Sequence, residues 1–231
     1  PADFADVPAG PDDIAAILYT SGTTGRSKGA MLSHGNLSSN ALTLHRAWGF
    51  RPDDVLLHAL PIFHTHGLFV ASNCVLLNGT GMLFLAKFDA DTVTRLLPRA
   101  TVFMGVPTLY VRLLAEATLT REACRNMRLF ISGSAPLSRD VAEFFDAVGV
   151  VILEGYGLTE SSAATHCNLP GKNRIGMVGP ALPGIEVRLA EDGEVLMRGP
   201  WIMRGYRGLP DATAEALDAE GWLHTGDVGF Q

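Results

Sequence analysis

Short apolar runs that alternate with longer amphipathic stretches constrain the fold of this chain more than any other feature of its sequence. The runs have the length of buried strands, and they occupy residues 14–18, 55–60, 82–85, 102–104, 129–132 and 150–153. The amphipathic stretches predict helices at residues 36–48, 68–77, 92–97, 108–117 and 139–147. Strands that alternate with helices pair in parallel through right-handed crossovers. We therefore predict a layered α/β fold with a mostly parallel sheet, whose ligands bind beyond the carboxyl ends of the strands.

The composition is that of a globular chain and excludes several classes of function. Of the 231 residues, 47% are hydrophobic, and the net charge of −6 argues against nucleic-acid binding, which requires a basic face. No apolar run reaches the roughly 18 residues of a membrane span. Cys74, Cys124 and Cys167 are too few and too scattered for a disulfide framework. We expect reduced thiols and a cytoplasmic location.

A loop rich in glycine and hydroxyl side chains follows the first apolar run, with the sequence YTSGTTGRSKG at residues 19–29. Glycines let backbone N–H groups approach a ligand, hydroxyl groups donate hydrogen bonds, and Lys28 supplies positive charge. The glycine spacing, and Gly29 directly after Lys28, differ from a Walker A loop. A solvated turn would explain the glycine and hydroxyl residues, but it would not require these eleven residues in this order. The loop is therefore predicted to bind phosphate groups.

This segment resembles the phosphate-binding loop of the adenylate-forming superfamily, which includes acyl-CoA synthetases, peptide-synthetase adenylation domains and beetle luciferases. Four further motifs follow in the order that the family has: FHTHG at residues 63–67, GSAP at 133–136, EGYGLTE at 154–160 and TGD at 225–227. The five motifs span nearly the whole chain. A luciferase-like oxygenase would share all of them, as would an acyl-CoA synthetase.

The resemblance implies that a carboxylate attacks the α-phosphate of ATP, and that the acyl group then passes to coenzyme A. It implies that Tyr156 stacks on adenine and that Asp227 bonds the ribose hydroxyls. The implied catalytic residues are Lys28, His64, Thr159, which bonds the α-phosphate, and Glu160, which holds Mg²⁺. The implied ATP or AMP contacts are Thr20, Ser21, Gly22, Thr23, Thr24, Gly25, Lys28, Gly133, Ser134, Ala135, Pro136, Glu154, Gly155, Tyr156, Gly157, Thr159 and Asp227.

The histidine segment and one helical arginine are the candidates for binding the acid. The resemblance places His64, His66 and Gly67 at the acyl pocket, and predicts a structural role for His58. Zinc is the alternative for the two histidines, but no cysteine or second histidine pair stands at ligand spacing.

Residues 58–135 resemble malonyl-CoA synthetases most, and Arg112 matches one of the two arginines that those enzymes use. A guanidinium suits the second carboxylate of malonate because it can bind both oxygens. Their other arginine directly precedes the motif tyrosine, and Gly155 stands there in this chain. The glycine would leave room for a longer apolar chain. The sequence therefore predicts a malonyl-CoA synthetase, with a medium- or long-chain fatty acyl-CoA synthetase as the alternative.

The resemblance also implies that this is the central part of a longer enzyme, without the family's C-terminal domain and its catalytic lysine. We predict a linker at residues 1–10, an α/β nucleotide-binding part at 11–175 and a small β-rich subdomain at 176–231. The expected partners are a small carboxylic acid, ATP, coenzyme A and the remaining parts of the same enzyme. A noncatalytic nucleotide-binding fragment is the alternative from another functional class.

Overall fold

The computed structural model describes residues 7–20, 27–147 and 149–230. Six residues of the predicted phosphate loop, 21–26, lie outside these ranges, and five of them are predicted ATP contacts: Ser21, Gly22, Thr23, Thr24 and Gly25. The remaining predicted site residues all fall within them.

A six-stranded sheet forms the centre of the fold, in the order β4-β3-β5-β6-β7-β8. Its strands are β3 Val55–His58, β4 Gly81–Phe84, β5 Val102–Gly105, β6 Leu129–Ser132, β7 Ile152–Leu158 and β8 Ala163–Cys167. The first five pair in parallel, and β8 runs antiparallel to β7. The predicted α/β fold with a mostly parallel sheet is confirmed.

Helices cover both faces of this sheet. They are α1 His34–Ala47, α2 Ser72–Asn78, α3 Ala90–Leu96, α4 Pro107–Leu114 and α5 Arg139–Ala147, with a six-residue π-helix, His66–Ala71, before α2. Because side chains alternate along a strand, neighbouring residues belong to different cores. Leu56 packs in the core that contains α1 and α2, whereas Leu57 packs in the core that contains α3, α4 and α5.

The start of α1 is fixed by a capping box. The Ser33 hydroxyl accepts a hydrogen bond from the Asn36 backbone N–H at 3.1 Å, and the Asn36 side chain accepts one from the Ser33 N–H at 2.9 Å. The helix therefore begins at His34, two residues before the predicted position. The Asn36 amide also donates to the Ile202 carbonyl at 3.0 Å, which ties the helix start to the C-terminal part of the chain.

Two apolar runs were predicted wrongly as buried strands. Residues 14–18 belong to β1, Ile14–Thr20, which pairs antiparallel with β2, Lys28–Ser33, in a separate two-stranded ribbon. The side chain of Ile14 is 42% exposed there. Strand β4 lies at the edge of the large sheet, and Met82 and Phe84 are exposed. An apolar run alone does not distinguish an edge strand or a ribbon from the centre of a sheet.

A small antiparallel sheet follows, in the order β11-β10-β9, as the sequence predicts for a β-rich C-terminal part. Its strands are β9 Glu186–Leu189, β10 Glu194–Arg198 and β11 Leu223–Val228, and helix α6, Pro210–Ala216, precedes β11. The guanidinium groups of Arg188 and Arg198 lie 4.2 and 4.6 Å from the centre of the Trp222 ring. The division at residue 175 stays a prediction. Within the described ranges, no helix has both the length and the apolar character that a membrane crossing requires.

Candidate functional site

A cavity of about 680 Å³ lies where strands of the large sheet end at their carboxyl side. Leu60 follows β3 at its wall, Val106 follows β5, and Gly133 follows β6. Tyr156 enters from the end of β7, and Thr20 enters from the ribbon. This is the position at which parallel sheets bind ligands.

The EGYGLTE motif forms the end of β7 and the short 3₁₀ turn Thr159–Ser161. Tyr156, Thr159 and Glu160 all border the cavity. Gly157 is required because a Cβ atom at this residue would lie 1.8 Å from the Ala163 carbonyl oxygen of β8. The close approach of β8 therefore fixes the backbone that presents these three side chains.

The C-terminal sheet places Asp227 next to Tyr156, although Asp227 is not itself part of the cavity lining. The Tyr156 hydroxyl donates a hydrogen bond to Asp227 Oδ2 at 2.7 Å. The Thr225 hydroxyl accepts from the Asp227 N–H at 3.1 Å and donates to the Val195 carbonyl at 2.7 Å, which orients the turn. Burial raises the pKa of Tyr156, and the neighbouring carboxylate raises it further. Tyr156 therefore stays protonated and can donate.

Glu160 is held by Tyr206, a residue that the sequence analysis missed. The Tyr206 hydroxyl donates to Glu160 Oε1 at 2.8 Å, and Lys28 Nζ lies 5.0 Å from the centre of the Tyr206 ring. Tyr206 stands between two glycines in the run RGYRG at residues 204–208, within a stretch that the sequence analysis treated only as β-rich. A single aromatic residue within a glycine-flanked run is the sequence signal that could have identified Tyr206.

The histidine segment enters the cavity as the π-helix, a conformation that is frequent at functional sites. His64, Thr65 and His66 all line the cavity, and Thr65 Oγ1 lies 3.4 Å from Thr159 Oγ1. Burial lowers the pKa of His66 to about 4, so that its ring is neutral at neutral pH. In the part of the chain that the structure describes, no group of three or more His, Cys, Asp or Glu side chains that could hold a metal ion occurs.

Gly67 and His58 hold the π-helix in place. The Gly67 carbonyl lies 2.9 Å from His58 Nε2 and accepts a hydrogen bond from the Ser72 hydroxyl at 3.0 Å. A Cβ atom at Gly67 would lie 2.3 Å from the Pro61 carbonyl oxygen. Only glycine therefore fits between the end of β3 and the π-helix.

We expect Gly67→Ala to lower the free energy of unfolding by about 1–3 kcal/mol, because the added methyl group overlaps a backbone carbonyl that cannot move alone. Urea denaturation of the intact protein measures this loss. Gly81→Ala is the matched control, since a Cβ there meets only the two γ-methyl groups of Val55, at an ordinary 3.6 and 3.8 Å. Equal losses in the two variants would show that the close contact at Gly67 does not limit the structure.

Several predicted site residues do not reach the cavity. Arg112 is exposed on α4, with its guanidinium 4.6 Å from the centre of the Phe88 ring. Glu154 is buried and accepts a hydrogen bond from the Leu137 N–H at 2.9 Å; burial raises its pKa. Lys28, Ala135, Pro136 and Asp227 also lie outside the lining, whereas Gly133 and Ser134 are part of it.

Gly155 borders the cavity, and strand β8 lies close to the position that a side chain there would occupy. A Cβ atom at this position would lie 3.2 Å from the His166 carbonyl oxygen and 3.5 Å from Cys167 Cβ, both on β8. The space beside this glycine is thus largely filled by the neighbouring strand.

Comparisons with known proteins give a consistent result. A family model described as AMP-binding enzyme matches residues 2–207. The malonate–CoA ligase of Arabidopsis thaliana is 36% identical over 94% of this chain and 40% of its own length, and the long-chain-fatty-acid–CoA ligase of Bacillus subtilis is 36% identical over 94% and 42%. The solved structure of ATP-bound MatB from Rhodopseudomonas palustris is 51% identical, with a TM-score of 0.94 over 98% of this chain and 48% of that one. The chain thus spans somewhat less than half the length of these relatives.

Proposed function

This chain belongs to the AMP-binding enzyme family, and we propose that it supplies the ATP site of an acid–CoA ligase. Such an enzyme joins a carboxylic acid to AMP with release of pyrophosphate, and then transfers the acyl group to coenzyme A. One observation carries the proposal: Tyr156, Thr159 and Glu160 border the same cavity as Thr20, and Asp227 is hydrogen-bonded to Tyr156. In this chemistry the protein contributes mainly by positioning the substrates and by neutralising phosphate charge.

In this proposal, polar groups of the cavity, together with Asp227 and Lys28 outside its lining, each bind one part of ATP. The ring of Tyr156 stacks on adenine beside the turn of Gly133 and Ser134. Asp227 accepts hydrogen bonds from the ribose hydroxyls. Thr159 bonds the α-phosphate, and Lys28 neutralises phosphate charge. Thr20 and the loop that includes Ser21, Gly22, Thr23, Thr24 and Gly25 wrap the remaining phosphates.

Glu160 fits the role of the protein ligand to Mg²⁺. Magnesium in nucleotide enzymes is held by one or two carboxylates together with substrate phosphates, so a single carboxylate at the cavity is a sufficient protein contribution. Tyr206 occupies only one oxygen of that carboxylate. When bound, the metal neutralises phosphate charge that builds up as pyrophosphate leaves.

We propose malonate, or a substituted malonate, as the acid. The support comes from relatives: besides the Arabidopsis enzyme, a solved malonyl-CoA ligase with methylmalonyl-CoA and AMP bound is 37% identical, with a TM-score of 0.88 over 96% of this chain and 51% of that one. His64, His66 and Gly67 line the place where the acid would enter. Arg112 would have to leave Phe88 to reach the second carboxylate.

An acid with an apolar tail is the second candidate, and the cavity wall favours it. None of the described residues that line the cavity is arginine or lysine. Its apolar part is built from Trp48, Leu60, Val70, Val106 and Ile131. An unpaired carboxylate among such side chains is costly, whereas an alkyl chain is stabilised there.

Arg112→Leu separates the two candidates. If malonate is the acid, the lost charge-assisted contact should lower kcat/KM for malonate about ten- to a hundredfold and leave butyrate unaffected. The measurement is kcat/KM of the intact protein for malonate, butyrate and octanoate. Arg95→Leu is the control, because Arg95 is an exposed arginine paired with Asp91 on α3. A wild-type preference for octanoate that Arg112→Leu does not change would contradict the malonate proposal.

We also propose a cytoplasmic location, on the basis of the three thiols. Cys74, Cys124 and Cys167 are free and buried, and burial raises their thiol pKa values to about 12, 11 and 12. They are suited to packing rather than to disulfide or catalytic chemistry.

A further inference from the structure

Tyr206 lies between Glu160 and Lys28, the two oppositely charged side chains that the proposed reaction uses. Its hydroxyl contacts the carboxylate at 2.8 Å, and its ring lies 5.0 Å below the ammonium group. We propose that Tyr206 is a positioning residue, which orients Glu160 for the metal and keeps Lys28 from pairing with it. The inference rests on the proposed function and assigns a separate task to each end of one side chain.

The backbone around Tyr206 is fixed from two sides. The N–H of Arg207 donates to the Gly29 carbonyl of β2 at 2.8 Å, and the N–H of Met203 donates to the Glu160 carbonyl at 2.7 Å. The Tyr206 N–H itself donates to the Thr213 hydroxyl at 2.9 Å. The segment thus joins the strand that begins at Lys28 to the turn that carries Glu160, and Tyr206, only 8% exposed, stands at the junction.

The hydroxyl end acts on Glu160. A hydrogen bond to a carboxylate is stronger than one between neutral groups and fixes the orientation of both partners. The Tyr206 hydroxyl donates to Glu160 Oε1 at 2.8 Å. Because Tyr206 holds Oε1, the other carboxylate oxygen of Glu160 has a fixed orientation and can face the metal.

The ring end acts on Lys28. The face of an aromatic ring is electronegative and attracts an ammonium group. Within the described ranges, Lys28 and Glu160 form no ion pair, although Glu160 contacts the hydroxyl of Tyr206 and Lys28 lies over its ring. If they paired directly, each would be neutralised before the nucleotide and metal arrived. The ring thus gives Lys28 a resting position from which it can reach phosphate.

Two variants separate the two ends. Tyr206→Phe keeps the ring and removes the hydroxyl, whereas Tyr206→Leu removes both. Isothermal titration calorimetry of the intact protein gives the Kd for ATP in Mg²⁺ and in EDTA, and the ratio of the two is the metal factor. We expect Tyr206→Phe to reduce the metal factor about two- to threefold and to leave the Kd in EDTA unchanged. We expect Tyr206→Leu also to weaken ATP binding in EDTA about three- to tenfold. The same substitution made in the Lys28→Gln variant should have no such effect.

Tyr110→Phe is the matched control. Tyr110 is also buried, and its hydroxyl donates to the Ile131 carbonyl at 2.7 Å, but it does not line the cavity. This variant should lose stability in thermal melting and keep the wild-type metal factor. If wild type binds ATP and Tyr206→Phe keeps the wild-type metal factor, the inference about Tyr206 is overturned while the proposed function stands. If wild type binds no ATP in either condition, the proposed function is overturned and the inference with it.

Discussion

Glu160→Gln should lower the single-turnover rate of acyl-adenylate formation by about a hundredfold or more, and should change the Kd for ATP far less. Glutamine has the shape of glutamate and can still accept the hydrogen bond from Tyr206, so the variant removes charge and little else. Charge at the leaving pyrophosphate develops in the transition state, whereas adenine and ribose contacts act in the ground state. The effect of Glu160→Gln should therefore appear mainly in the single-turnover rate and not in the Kd for ATP.

Rapid-quench measurement of AMP formation, together with ATP titration, tests this expectation. Glu143→Gln is the control, since Glu143 is an exposed carboxylate on α5 paired with Arg139. Unchanged single-turnover rates in Glu160→Gln would show that Glu160 is not a metal ligand. A tenfold or greater loss in ATP affinity with an intact rate would place its contribution in binding instead.

Asp227→Ala should weaken ATP and AMP binding about ten- to a hundredfold with little effect on the single-turnover rate at saturating ATP. The carboxylate is exposed, lies in the turn that Thr225 orients, and accepts a hydrogen bond from the Tyr156 hydroxyl through Oδ2. A hydrogen bond from a ribose hydroxyl to a charged group is worth about 1.5–3 kcal/mol. This hydrogen bond stabilises the ground state and the transition state equally, so its loss changes the Kd and leaves the rate nearly unchanged.

Deoxy nucleotides show whether the lost contact is to the ribose. Wild type should bind ATP more tightly than 2′-deoxy-ATP or 3′-deoxy-ATP, and Asp227→Ala should bind all three with similar Kd. Tyr156→Phe separates the ribose contact from the hydrogen bond between the two side chains. Asp192→Ala, in an exposed turn of the same small sheet, is the control. Full discrimination against the deoxy nucleotides in Asp227→Ala would exclude a ribose contact for Asp227.

The sequence predicted the large sheet well because five of its strands are short, apolar and separated by helix-length stretches. Strand β1 was placed wrongly for the same reason, since its apolar residues serve a half-exposed ribbon. The second strand of that ribbon was not predicted, because Lys28 and Gly29 belong to a motif that indicates a loop. A motif reports which residues bind a ligand and says little about the backbone that carries them.

The candidate site was predicted as far as its residues belong to motifs. Tyr156 and Glu160 line one cavity and Asp227 is hydrogen-bonded to Tyr156, while the roles that the resemblance implies for them stay predictions. Tyr206 was missed because its role arises from a contact across 46 positions of sequence, which no local pattern encodes. Arg112 was assigned from a match in sequence, and its observed contact with Phe88 depends on packing that the match does not contain.

Acid-dependent exchange of labelled pyrophosphate into ATP by the intact protein tests the central claim most directly. This exchange requires reversible formation of an acyl-adenylate and needs neither coenzyme A nor the second half-reaction. We expect exchange that depends on a carboxylic acid from the panel of malonate, butyrate and octanoate, and that falls about a hundredfold or more in Glu160→Gln. ATP binding without exchange, with any of the three acids, would contradict the account and leave a noncatalytic nucleotide-binding protein.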